Sequence, residues 1–251
     1  MRAIGAMAVQ SRRRASALGA HVRLRRSRRR RLVLVLGDSH ARVFRQPIFD
    51  SMPFRFEVES IMGATVSGLE NPNSTTQAGP IFARRLHEAA GRARRPEAIV
   101  VMLGEVDCGF VIWWMHQEHA LEIDAGLTRA VDNLVAFTQR ASTVAPVIVV
   151  SAQLPTIRDN AQFPEYAGAR RTITATQTER TDLVRRFNRR AREAVEGVGA
   201  AYLDLDETSL GPDGLVSPIL VRQYATDHHY DGVIYARLIQ QRLSSMAPFR
   251  S

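Results

Sequence analysis

Short runs of Val, Ile and Leu alternate along this chain with longer stretches whose apolar positions recur at helical spacing. The runs are Leu32 to Leu36, Phe54 to Ile61, Ala98 to Leu103, Val147 to Ala152 and Ala201 to Leu205. Runs this short and this continuously apolar are how strands buried on both faces read. Between them, Ala78 to Ala93, Ala120 to Ala141 and Thr176 to Glu196 have the pattern of helices, and Val233 to Ser244 forms a last one. Leu127, Val131, Leu134 and Val135 share one face of the second helix, as do Val184, Phe187, Ala191 and Val195 in the third. The βαβα order predicts an α/β fold of three layers, α/β/α, around a five-stranded parallel sheet.

Right-handed crossovers gather the loops that follow the strand C-termini along one edge of such a sheet, and ligands bind outside that edge. Site residues are therefore sought just after each strand. Leu154 to Thr174 is a long polar stretch with internal turn signals, which makes it a candidate lid or substrate loop.

Charge changes the picture only at the N-terminus. The formal net charge of the 251 residues is +9, but residues 1–31 hold eleven Arg and no acid, which leaves about −2 for the rest. Residues 1–31 are expected to be a disordered Arg-rich tail, and 32–251 the folded domain. A near-neutral body gives no reason to expect nucleic acid as a partner. Every basic residue is Arg, a compositional trait in keeping with a GC-rich bacterial genome. The single Cys, Cys108, rules out an intramolecular disulfide and fits a reducing, cytoplasmic compartment. No apolar run reaches the roughly 18 residues of a membrane helix.

The first strand runs straight into Gly37-Asp38-Ser39-His40. A Ser at a tight turn after a strand can expose its hydroxyl and sit beside helix amides, but it attacks a carbonyl only if a base takes its proton. After the second strand comes Gly63-Ala64-Thr65, after the third Gly104-Glu105-Val106-Asp107, and before the last helix Asp227-His228-His229-Tyr230. Taken in this order, the four blocks resemble those of the GDSL, or SGNH, hydrolase family, over Leu32 to about Leu243.

The resemblance implies a flavodoxin-like SGNH architecture and a serine hydrolase of acyl or acetyl esters that works through an acyl-enzyme. It implies Ser39 as nucleophile, with the backbone N–H groups of Ser39 and Gly63 in the oxyanion hole. No cofactor or metal is implied, and the substrate is a small-molecule, carbohydrate or lipid ester. Three departures stand out. His40 replaces the Leu of the first block, and Val106 replaces an Asn that would donate to the oxyanion. The last block is Asp-x-x-His in the family, whereas Asp227 lies one residue before His228 and two before His229, with Thr226 in the register position relative to His229. His229, oriented by Asp227, is the favoured base because the turn into the helix follows it, with His228 the alternative. Asp38, His40, Gly104, Glu105, Asp107 and His228 are expected to line the site.

Other chemistries use some of the same residues. Asp38, His40, Asp227, His228, His229 and Asp231 could gather as a metal site, although no His-x-x-x-His spacing supports one. Cys108 could be nucleophilic beside a His, or simply core. Phe110, Trp113 and Trp114 could line an acyl or sugar pocket, or anchor a segment in the core. An acyltransferase and a binding protein that has lost catalysis are the alternatives to a hydrolase.

Overall fold

The computed structural model describes residues 30–159, 161, 172–222 and 227–250. Residues 1–29 of the Arg-rich segment, most of the candidate lid and Thr226 lie outside the described residues. Five strands form one sheet: β1 (Arg31–Gly37), β2 (Phe54–Ser60), β3 (Ala98–Met102), β4 (Val147–Val150) and β5 (Ala201–Leu203). All pairings are parallel, in the order β2-β1-β3-β4-β5. That is the flavodoxin-like order, in which the chain reverses direction across the sheet between β1 and β3.

Helices cover both sides. On one, α1 (Ala78–Ala90), α3 (Ile123–Ser142) and α4 (Gln177–Gly197) bury their apolar stripes. Phe82 of α1 meets Phe137 of α3 with ring centroids 5.9 Å apart, and Asp124 of α3 pairs with Arg186 and Arg190 of α4. On the other side, α5 (Gly232–Ser244) packs against two 3-10 turns, Ser39–Arg45 and Pro47–Ser51, and Gln240 Nε2 donates to the Ile48 carbonyl at 3.0 Å. The core strands read as buried because they are: β3 and β4 are buried throughout.

Three details differ from the sequence pattern. β2 is an edge strand: Phe54, Phe56 and Val58 pack on the core, while Glu57 and Glu59 point to Arg85 and Arg92. Charged side chains on an exposed edge discourage pairing with another chain. Second, β4 and β5 are shorter than their apolar runs: Ser151 and Ala152 after β4 are buried loop, and after β5 an exposed Asp204 precedes a buried Leu205. Third, a π-helical turn at Asp107–Val111 and a helix, α2 (Ile112–His119), follow β3 before α3 begins. Among the described residues, no helix is long and apolar enough to cross a membrane.

Candidate active site

The chain leaves β1 through a turn that only glycine fits. A Cβ on Gly37 would lie 2.3 Å from the Met102 carbonyl oxygen and 2.8 Å from Ala41 Cβ. Asp38 N donates to that same Met102 oxygen at 3.1 Å, so β3 fixes the turn. The Asp38 carboxylate then caps the 3-10 turn by accepting from His40 N at 2.8 Å. Side-chain capping of this kind satisfies an amide that the turn leaves open. Ser39 is the first residue of that turn, largely buried at the floor of a cleft shared with Arg42, Gln153, Arg222 and His229.

The C-terminal segment is seated on the loop after β4. Leu154 N donates to the Tyr230 hydroxyl at 2.7 Å, and Thr156 Oγ1 donates to the Asp227 carbonyl at 2.8 Å. Asp231 caps α5 by accepting from Val233 N and Ile234 N, both at 3.0 Å. Held at both ends, the segment brings His229 Nε2 to 2.9 Å from Ser39 Oγ. On the far side of the ring, His229 Nδ1 lies 2.8 Å from Asp227 Oδ1. That oxygen also accepts from His229 N at 2.9 Å. This local turn is how a carboxylate only two residues away reaches the imidazole. Arg222 NH1 donates to Asp227 Oδ2 at 2.7 Å, and no pattern in the sequence marks Arg222, Thr156 or Tyr230 for these contacts.

The electrostatics follow from these contacts. Burial favours a protonated Asp227, but donors from His229 N, Arg222 and the His229 ring outweigh it and hold the carboxyl down at about 2. The His229 pKa falls below the usual 6.5, chiefly through burial and then through the charge of His40, against the opposing pull of Asp227. A neutral imidazole facing a hydroxyl oxygen can accept its proton.

His40 is buried, with Nδ1 2.8 Å from Asp38 Oδ1, Nε2 3.2 Å from the His228 carbonyl oxygen and Glu105 Oε2 3.9 Å from Nε2. Glu105 also lines a cavity beside His228 and Phe110. Asp107 does not line the site. It is fully buried and accepts from Val66 N at 2.7 Å, Ser67 N at 3.0 Å and Ser67 Oγ at 2.6 Å, which ties the loop after β2 to the loop after β3. Gly104 is likewise a packing position: its φ is +115°, and a Cβ there would lie 2.4 Å from Phe187 Cε1.

The loop carrying Gly63 starts beside the Ser39 turn, where Ile61 N donates to the Gly37 carbonyl at 2.9 Å. Gly63 itself has φ +73°, a backbone conformation suited to glycine. It lines a cavity of about 530 Å³ with Thr65, Asn71, Val106, Phe110 and Trp114. Trp113 instead packs toward the core and donates to the Cys108 carbonyl at 2.9 Å. Cys108 is core: it is fully buried, and burial pushes its thiol well above the ordinary range.

The ring nitrogens of His40, His228 and His229 lie within 4.8 Å of one another, the one group among the described residues that could hold a metal ion. Their present partners are otherwise directed. His229 Nε2 faces Ser39 and His40 Nε2 faces a backbone carbonyl, while Asp231, the sixth residue of the alternative metal set, is a helix cap.

The sheet order and the flanking helices are those of the GDSL-like, or SGNH, hydrolase fold. Among solved structures, the chain is similar to a GDSL-like lipase from Bacteroides thetaiotaomicron at 15% identity and a TM-score of 0.52, with 86% of this chain and 89% of that one covered. It is also similar to an acetylxylan esterase from Geobacillus stearothermophilus at 14% identity and a TM-score of 0.52, covering 86% and 95%. No protein-family model matches the sequence, and no curated protein is significantly similar to it.

Proposed function

We propose that the protein is a serine hydrolase of carboxylic esters. The observation that carries this reading is the continuous row Ser39 Oγ, His229 Nε2, His229 Nδ1 and Asp227 Oδ1, with steps of 2.9 and 2.8 Å on either side of the ring. Nucleophile, base and orienting acid in hydrogen-bond contact are the elements of acyl transfer on many unrelated folds. The fold neighbours include an enzyme acting on acetylated xylan, and one of its solved forms is a serine-to-alanine catalytic mutant.

In this reading His229 accepts the Ser39 proton as Oγ attacks the ester carbonyl carbon. The carbonyl oxygen becomes an oxyanion, held by the backbone N–H groups of Ser39 and Gly63. The intermediate collapses, His229 returns the proton to the departing alcohol, and the acyl group stays on Ser39. Water, deprotonated by His229, then releases the acid and restores the serine. Val106 contributes no side-chain donor where the resembled family has Asn, and one oxyanion donor is worth about 10²–10³ in rate. Turnover is therefore slow unless another group replaces it. The cavity beside Gly63 is lined by hydroxyl and amide side chains, Thr65, Ser67 and Asn71, together with Phe110 and Trp114, which suits an acylated carbohydrate or a similarly polar ester.

A panel of p-nitrophenyl esters from acetate to palmitate tests the reading. Wild type should hydrolyse the short esters, and Ser39→Ala and His229→Ala should fall by about 10⁴-fold or more. Equal rates in wild type and Ser39→Ala would rule it out.

A further inference from the structure

His40 stands where the resembled family has leucine, and no step above uses it. Both of its ring nitrogens face acceptors: the Asp38 carboxylate at 2.8 Å and the His228 carbonyl at 3.2 Å. A neutral imidazole carries one N–H and could donate to only one of them, so two acceptors call for the doubly protonated ring. A second carboxylate, Glu105, lies 3.9 Å from Nε2. The ring is 4.6 Å, centroid to centroid, from that of His229.

We propose that His40 is a positioning residue for His229: a buried cation that holds the Asp227–His229 segment through the His228 carbonyl and, by its charge, keeps His229 unprotonated. The proposal rests on His229 being the base. It assigns the departure from leucine a purpose, which is to set the pH at which the base is ready.

The groups that face His40 come from three elements. Asp38 lies on its own turn, Glu105 on the loop after β3, and His228 and His229 on the C-terminal segment, with Asp227 and Arg222 paired beyond them. Burial alone would strip the proton from His40, but the Asp38 charge and hydrogen bond, then Glu105, raise its pKa to about 9. At His229 burial again opposes protonation, and the His40 charge adds to it, while Asp227 and Glu105 favour it.

The two kinds of neighbour therefore give variants of opposite sign. His40→Gln keeps a donor within reach of the His228 carbonyl but removes the charge. Glu105→Gln removes a negative charge and leaves the cation. NMR titration of the histidine rings in a Ser39→Ala background reads His229 directly and needs no turnover. We expect His229 to titrate below 6.5 in the parent. His40→Gln should move it up by about one unit, as expected for a charge at this range, and Glu105→Gln should move it down. In the Ser39-intact variants the acid limb of kcat/KM should follow the same shifts. A His229 midpoint that is unmoved in both variants, or a His40 that titrates near 6.5, would overturn the proposal. Should His40→Gln fail to fold, the titration midpoint of His40 itself still decides, since a ring that titrates near 6.5 is no buried cation. If no ester is cleaved at all, the esterase reading fails on its own and the titrations still judge this one.

Discussion

Two Asp-x-His pairs sit side by side in this molecule, built alike and placed differently. In each, one carboxylate oxygen accepts from both the backbone N and Nδ1 of the histidine two residues on: Asp38 for His40 at 2.8 and 2.8 Å, Asp227 for His229 at 2.9 and 2.8 Å. Yet the inner histidine is held protonated up to about 9, while the outer one is pushed below 6.5. The local motif cannot be the cause, because it is shared. The inner pair has Glu105 as a second carboxylate and, among the described residues, no Arg paired with Asp38. The outer pair shares its carboxylate with Arg222 and looks across at the inner cation. Neighbouring charge decides the protonation state, and with it which pair can do base chemistry.

The largest expected effect breaks the outer pair. Asp227→Asn should lower kcat/KM by about 10²–10⁴-fold, since the imidazole loses its orienting anion, and should lower the unfolding midpoint less than a change in the inner pair does, because the outer pair is only half-buried. Asp38→Asn should act chiefly on stability, and on activity only through the His40 charge that Asp38 supports. It strips the partner from a buried cation, a loss of about 3–5 kcal/mol by analogy with other buried pairs, visible in urea unfolding. If both substitutions act on activity and stability alike, the two pairs do not have separate duties.

The pH dependence of stability sharpens the contrast. His40 has a folded pKa above its unfolded value of 6.5, so its contribution is fully present below 6.5 and is lost as pH rises through about 9. Asp227 has a folded pKa of about 2, below its unfolded 3.8, so its contribution is present above 3.8 and is lost as pH falls through 2. Urea unfolding midpoints should therefore decline between neutral pH and pH 9, and His40→Gln should flatten that decline. The smallest effect concerns His228. Its backbone carbonyl, which alanine retains, accepts from His40, so His228→Ala should change kcat/KM by only about twofold, or ~0.5 kcal/mol in barrier.

Much of the fold was readable from the chain because buried parallel strands have a simple signature. Val33 to Leu36 and Ile99 to Val101 are continuous apolar runs, and each became a strand. The turn Gly37-Asp38-Ser39-His40 was readable too, since the need for a residue without a Cβ follows from a strand that ends against its neighbour. What the pattern hid is long-range. Arg222 and Thr156 meet Asp227 only after the β4 loop and the C-terminal segment have packed together, and nothing in their spacing announces it. The register of the last block was opaque for a local reason: one missing residue looks like a defect until Asp227 is seen to bond both the backbone and the ring of His229. Asp107 misled in the opposite way, because a carboxylate in a motif reads as chemistry whereas here it fastens two loops.

The most direct test of the central claim, that Ser39 is an activated nucleophile, is covalent labelling of folded protein by a fluorophosphonate, read by intact mass and peptide mapping. Wild type should take up one label, on Ser39, and His229→Ala should react far more slowly. Folded wild type that takes no label, or a Ser39→Ala protein labelled as fast as wild type, would contradict it.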